Sequence, residues 1–143
     1  MRVVLLSVVL ALAAPAAFAG EITVMHATLR VISAAIPGAG YFDLSNGTGK
    51  NIALTGARSP ICSDLMMHQS ATESGMARML SVARIDVAPG QKLSFKPGGY
   101  HLMCMQPAAA LATAHTAIIT LLFAGGATQD VTFTVVNAKG APR

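Results

Sequence analysis

The stretch "KLSFKPGGYHLMCM", residues 92–105, contains two short β segments joined by a glycine turn. "KLSF" alternates polar and apolar residues, which is the period of a half-buried strand, and "YHLMCM" begins directly after Gly98-Gly99. Similar turns end other short segments at "NGTGKN" (46–51), "APGQ" (88–91) and "GGAT" (125–128). Eight or nine segments separated in this way predict an all-β sandwich or barrel.

The amino terminus has the pattern of an export signal. Arg2 is followed by an apolar run and by the small-residue sequence Ala17-Phe18-Ala19. We therefore expect a signal peptide over residues 1–19, removed on export. No cysteine lies near this cut, so no lipid anchor is expected. Residues 20–143 are expected to form a single domain, because no repeat, linker or membrane-spanning run interrupts them.

The charge pattern argues against a nucleic-acid partner. The chain has ten Lys and Arg against six Asp and Glu, and removal of Arg2 leaves nine against six. These basic residues are scattered, and aromatic residues make up only 5% of the chain, so no basic stripe with stacking platforms is expected. A hydrolase is also disfavoured, because the chain lacks the G-x-S-x-G nucleophile elbow.

The segment "YHLMCM" carries potential metal ligands on one face. Residues two apart in a strand point the same way, so His101, Met103 and Met105 should share a face and Cys104 should point to the other. In "DLMMHQS" (64–70) the same rule places Met66 and His68 together. Two further methionines, Met76 and Met79, follow the loop "SATESG" (70–75).

Two imidazoles and two thioethers would form a soft ligand set that prefers Cu(I) to Zn(II) or Mg(II). Thioethers need no deprotonation, and they suit an oxidising compartment in which thiols become disulfides. The alternative is structural, since methionine is an ordinary filler of hydrophobic cores. The residues alone leave both interpretations open.

Ten residues separate His68 from Met79, twenty-one separate Met79 from His101, and one separates His101 from Met103. This spacing resembles the H-x10-M-x21-H-x-M signature of the periplasmic Cu(I) chaperone family often written PCuAC. The surrounding stretches "GAGYFDLSN" (38–46), "GMARM" (75–79) and "PGGYHLM" (97–103) are also similar. The resemblance implies a cupredoxin-like, Greek-key β-sandwich that binds Cu(I) in the periplasm. It implies that the ligands are His68, Met79, His101 and Met103. Met66, Met76 and Met105 are candidates for assisting ligand exchange.

The chain departs from the family pattern at several places. Gln69 stands where many members have methionine, and no Trp is present. The tail "NAKGAPR" (137–143) lacks the Met- and His-rich extension of some members, so one Cu(I) ion is expected. Met25 and His26 could form an extra ligand pair, although a strand residue and a surface histidine explain them more simply.

Cys62 and Cys104 are the only cysteines, and an even number in an exported protein predicts a disulfide. Such a bond would tie the "YHLMCM" segment to the chain leading into His68 and so help preorganise the ligands. Thiolate ligation or a redox pair is the alternative, but no C-x-x-C spacing supports it.

The predicted function is therefore a monomeric, non-enzymatic copper carrier. The resemblance implies delivery to the CuA centre of cytochrome c oxidase, through its subunit II or an assembly factor. One alternative is an exported β-sandwich interaction module without metal. Another is a blue-copper electron carrier, which would need a Cys thiolate beside two His and an axial Met.

Overall fold

Burial alternates along several of the strands, as expected where one face of a sheet packs against a core. In the strand Gly38–Asn46 every second residue is buried, and the intervening ones are partly exposed. The structure is a computed structural model that describes residues 20–143. The predicted signal peptide, residues 1–19, lies outside the described residues.

The described residues form ten strands and one short 3-10 helix, and none of their helices is long and apolar enough to cross a membrane. The strands are β1 Ile22–Arg30, β2 Gly38–Asn46, β3 Ile52–Arg58, β4 Asp64–Glu73, β5 Met76–Ser81, β6 Ile85–Val87, β7 Lys92–Phe95, β8 Tyr100–Met105, β9 Thr116–Phe123 and β10 Thr128–Val136. The 3-10 helix, Ala109–Ala112, lies between β8 and β9.

The strands form one continuous hydrogen-bonded sheet in the order β5-β4-β8-β7-β2-β1-β10-β9-β3-β6. The β1–β10 and β7–β8 pairs are parallel, and the other pairs are antiparallel. Although β3 and β4 stand near opposite ends of this order, they contact each other. The sheet therefore folds back on itself and encloses its apolar face.

A single apolar cluster fills the interior. Phe42 stacks on Phe95 with ring centroids 4.4 Å apart and meets Phe133 edge-on at 5.9 Å. Side chains of both halves of the sheet, such as Leu54 and Leu102, belong to the same cluster. The predicted all-β class is confirmed, with ten strands rather than eight or nine.

One additional strand comes from "MARMLSVARIDV" (76–87), which the sequence pattern suggested as one segment. Its first half is β5 and pairs with β4, whereas its second half is β6 and pairs with β3. The chain must leave the sheet between them, because the two partner strands stand near opposite ends of the strand order.

Two tight turns position the strands that carry the candidate ligands, β4, β5 and β8. Between β7 and β8, the Gly99 N–H donates to the Lys96 carbonyl at 2.9 Å, with Pro97 second and Gly98 third in the turn. Gly98 has a φ of 80°, which is the type II arrangement. Between β4 and β5 the loop is only Ser74-Gly75, both with positive φ, so most of "SATESG" is strand.

Candidate metal centre

The pairing of β4 with β8 brings the two candidate histidines face to face. In this antiparallel ladder His68 lies opposite His101, and Met66 lies opposite Met103. Directly paired residues point to the same side of a sheet, so these four side chains share one face. The other face of β8 carries Leu102 and Cys104, which are fully buried. The predicted alternation along "YHLMCM" is therefore confirmed.

The two imidazole rings lie 5.8 Å apart between centroids and are nearly perpendicular, at 87°. His101 is buried, with 6% of its surface exposed, and its Nδ1 lies 3.2 Å from the Gly99 carbonyl oxygen. A carbonyl can only accept, so this contact assigns the donating N–H to Nδ1, and in the neutral ring Nε2 is the nitrogen that can bind a metal. An imidazole fixed in this way through its second nitrogen is typical of a metal ligand.

The Gly99 carbonyl that orients His101 is itself fixed by the sheet. It also accepts a hydrogen bond from the Ser70 N–H at 3.0 Å, which ties the β7–β8 turn to β4. The type II turn therefore does more than connect two strands, because its last residue sets the tautomer and orientation of a candidate ligand.

His68 has a buried ring nitrogen without a partner. Its Nδ1 is inaccessible, yet it makes no hydrogen bond within residues 20–143. A buried polar atom left unpaired costs about 1–3 kcal/mol. This orphaned nitrogen fits a site in which the ring has a ligand to bind.

Met79 joins this face from β5. It pairs with Ser70, two residues beyond His68 on β4, so it points to the same side as both histidines. Met79, His101 and Met103 line one cavity of about 260 Å³. Three of the four predicted ligands thus share a cavity, and His68 lies directly opposite one of them.

The donor chemistry is that of a soft site. The cluster combines two neutral nitrogen donors with two thioether sulfurs, and Met79 is 60% exposed at the rim. Within residues 20–143, no group of three or more His, Cys, Asp or Glu side chains could hold a metal. The histidines are accompanied by methionines rather than by carboxylates or thiolates.

The additional methionines divide between the two faces. Met66 opposes Met103, and Met105 opposes Asp64, so both lie on the ligand face of the sheet. Met76 pairs with Glu73 and points to the opposite face from Met79, because the two are three residues apart in one strand. The structure does not bring Met76 together with the histidines.

The predicted disulfide between Cys62 and Cys104 is present, with Cα atoms 5.3 Å apart. Both cysteines are buried, and Cys104 points away from His101 and Met103. No cysteine is free in the part of the chain that the structure describes. The bond joins the ligand-bearing β8 to the segment that precedes β4.

Met25 and His26 lie elsewhere, at a β-bulge between Met25 and Thr28. His26 has a φ of 54°, and its Nδ1 lies 2.9 Å from the Asp43 carboxylate. Hydrogen bonds from Ser94 and then from His26 lower the pKa of Asp43 below its usual value. His26 is thus engaged by a carboxylate, and the structure does not join it to His68 and His101.

Residues that the sequence patterns did not suggest also contribute. The Gly99 carbonyl orients His101, and Arg30 and Pro97 line the cavity with the candidate ligands. The "PGG" turn signal was visible in the sequence, but the role of a backbone carbonyl depends on tertiary contacts. Arg30 is 71 residues from His101 and gave no local signal.

The fold is all-β and is similar to that of solved PCuAC domains. The structure is similar to the copper-bound PCuAC domain from PmoF2, with a TM-score of 0.67 and 18% identity over 83% of this chain and 95% of that one. It is also similar to the Cu(I) form of DR1885 from Deinococcus radiodurans. That match has a TM-score of 0.66 and 32% identity, over 85% of this chain and 82% of that one.

The chain belongs to the family described as "Putative lipoprotein LpqE-like", whose sequence model matches residues 22–135. It is 30% identical over 104 residues to a protein of Leifsonia xyli subsp. xyli named "Putative lipoprotein Lxx21020". The alignment covers 72% of this chain and 63% of the Leifsonia protein, so the chain spans less than two thirds of that relative's length.

Proposed function

We propose that this protein is an exported, non-enzymatic Cu(I) chaperone. His68 and His101 would bind the ion through imidazole nitrogens, and Met79 and Met103 through thioether sulfurs. The register that sets His68 opposite His101 carries the proposal, because it places a pre-oriented imidazole beside one with an orphaned buried nitrogen. The similarity to a Cu(I)-bound protein at 32% identity supports copper as the cargo.

The ligand set suits capture and release better than permanent binding. All four donors are neutral, so the copper-loaded site would carry only the charge of the ion. Met79 is exposed at the rim, where an acceptor's ligand could replace it without unfolding the domain. These properties suit transfer of the ion by ligand exchange, in which no covalent bond of a substrate is made or broken.

A blue-copper electron carrier is disfavoured. Such a site needs a cysteine thiolate, whereas both cysteines form a disulfide and Cys104 points to the opposite face from the histidines. The metal-free interaction module stays an alternative, and the first experiment distinguishes it from the chaperone.

We further propose that the protein is exported to the periplasm by residues 1–19, and the lipoprotein names of its relatives are consistent with export. It would act as a monomer and deliver one Cu(I) ion to an acceptor. The acceptor would be the CuA centre of cytochrome c oxidase, reached through subunit II or an assembly factor. A purified CuA domain that, after separation from the loaded protein, contains copper by metal analysis would support this destination, and no copper in it would contradict it.

The test of copper binding is an anaerobic Cu(I) titration against a competing chromophoric ligand. The parent should take one tight equivalent, and Met79→Leu and His101→Ala should each lose at least about tenfold in affinity, since even outer partners of metal ligands contribute about 10–100-fold. Met76→Leu is the matched control, because Met76 lies on the same strand at 59% exposure, beside 60% for Met79, but on the other face.

No competition by the parent would reject the chaperone and favour the metal-free interaction module. Equal weakening in the Met76 and Met79 variants would show that copper binds through exposed methionines in general. In that case the assembled site would be wrong even though the protein binds copper.

A further inference from the structure

Arg30 lies where two cavities adjoin. It is the last residue of β1, and it lines both the 260 Å³ cavity of the candidate ligands and a neighbouring cavity of about 340 Å³. Its guanidinium carbon lies 5.8 Å from the centre of the Tyr41 ring, and its Nη2 donates to the Tyr41 hydroxyl at 3.3 Å. Tyr41 therefore holds the half-buried Arg30 guanidinium beside the cavity of the candidate ligands.

The charge of Arg30 has no ion-pair partner in the part of the chain that the structure describes. Arg78 and Arg84 pair with Glu73 and Asp86, whereas within residues 20–143 no carboxylate lies at ion-pair distance from Arg30. Asp43 lines the neighbouring cavity, but its oxygens already accept from His26 and Ser94.

Lys96 adds a second unpaired cation to the same cavity. It is exposed on the β7–β8 turn and, within the described residues, makes no ion pair. Lys96 lies next to Pro97, which lines both cavities. The 340 Å³ cavity thus has two cations against the one carboxylate of Asp43, and it shares Arg30, Tyr41 and Pro97 with the cavity of the candidate ligands.

We propose that Arg30 and Lys96 form a docking subsite for an acidic segment of the protein that receives the copper. This inference rests on the proposed function. A guanidinium binds a carboxylate through two parallel hydrogen bonds and so fixes orientation as well as position. A carboxylate on Arg30 would bring the neighbouring side chains of the acceptor over the cavity lined by Met79 and Met103.

Charge complementarity also favours an acidic occupant. A site of neutral ligands gains one positive charge when Cu(I) binds, which adds to the field of Arg30 and Lys96. An acidic acceptor would be attracted more strongly to the loaded protein than to the empty one, and complementary fields of this kind raise association rates by about 10–10³-fold. The copper-free protein should therefore bind the same segment more weakly.

The experiment uses a short, thiol-free synthetic peptide that carries methionines beside a run of glutamates, and its counterpart with glutamines instead. The absence of thiols leaves the disulfide intact. Binding to the ¹⁵N-labelled protein, copper-free and Cu(I)-loaded, is followed by NMR titration. The variants are Arg30→Gln and Lys96→Gln, with Arg58→Gln as the control, because Arg58 lines a separate cavity with Pro60 and Asp130.

The glutamate peptide should bind the parent on the order of tenfold more tightly than the glutamine peptide, with shifts centred on Arg30 and Tyr41. In Arg30→Gln the ratio of the two peptide affinities should fall at least threefold, which is on the order of the loss of one ion pair. In Lys96→Gln the ratio should fall less. Arg58→Gln should keep it, and raising the salt from about 20 to about 300 mM should weaken it. Because the readout is a ratio of two peptides within each variant, a change in overall binding cancels.

Equal affinity for the two peptides would overturn the inference. A loss of the glutamate preference in Arg58→Gln equal to that in Arg30→Gln would also overturn it, because it would indicate general electrostatic attraction rather than a site. A parent that binds Cu(I) but shows no acidic preference would leave the proposed function intact and reject the docking subsite. A parent that binds the acidic peptide but not Cu(I) would reject both.

Discussion

Removal of the disulfide should destabilise the domain by about 4 kcal/mol. Cys62 and Cys104 are separated by 42 residues, and in the chain-entropy model a crosslink closing a loop of this length restricts the unfolded chain by about that amount. With a urea m-value of about 2 kcal/mol/M for a domain of this size, the unfolding midpoint should fall by about 2 M.

The assay compares three forms in copper-free buffer: the oxidised parent, the parent reduced before unfolding, and the double variant Cys62→Ala with Cys104→Ala. The reduced parent keeps both sulfur atoms, so its loss measures the crosslink alone. The double variant should lose more, because both side chains are buried and their truncation leaves a cavity.

A midpoint shift below about 0.5 M between the oxidised and reduced parent, or about 1 kcal/mol, would refute the reasoning. It would mean that the unfolded chain already holds the two segments together, so that the crosslink removes little entropy. A second readout is the Cu(I) affinity of the double variant. It should fall, because the bond connects β8, which carries His101, to the segment before β4.

Three further outcomes are expected. Leu102→Ala should cost about 2–5 kcal/mol in urea unfolding, because Leu102 is fully buried. Met103→Leu should cost under about 1.5 kcal/mol of stability and yet weaken Cu(I) binding. A larger loss of stability in Met103→Leu than in Leu102→Ala would contradict the assigned faces. Met66→Leu should slow copper transfer to a chelator in stopped-flow experiments and Met76→Leu should not, since only Met66 shares the ligand face; equal rates would reject this. Acidification from about pH 5 to about pH 3 should destabilise the parent more than the Asp43→Asn variant. The pKa of Asp43 is lowered in the folded state, so its carboxylate contributes stability above the ordinary pKa of 3.8, and that stability is lost as the pH falls through the pKa of the folded state. Equal losses of stability in urea unfolding would contradict this prediction.

The faces of the strands could be predicted from the sequence because the period of a strand is local. Alternation placed His101 and Met103 together and Cys104 apart without any knowledge of the partner strand. The same rule separates Met76 from Met79, because three residues along one strand reverse the face. The break of "MARMLSVARIDV" between β5 and β6 could not be predicted, because it is imposed by pairing partners far apart in the sheet.

The register between strands could not be predicted in this way. His68 and His101 are 33 residues apart, and their direct opposition depends on how β4 and β8 align in the folded sheet. A shift of one residue would turn one histidine into the core, so register is set by the burial of Leu65, Met67 and Leu102 on the other face. The charged groove at Arg30 likewise exists only after β1 and β2 pair.

If copper binds as proposed, its four ligands are held with unequal rigidity. His68, His101 and Met103 lie on β4 and β8, whose opposite faces are packed into the core, and β8 is further tied by the disulfide. Met79 lies on β5, an edge strand in which all six residues are exposed and which, among the strands of residues 20–143, pairs with β4 alone. Local opening requires least energy where few apolar contacts are lost, so β5 should move before β4 or β8. The three rigid ligands would therefore keep the ion in place, and Met79 would be the ligand that dissociates first when copper leaves.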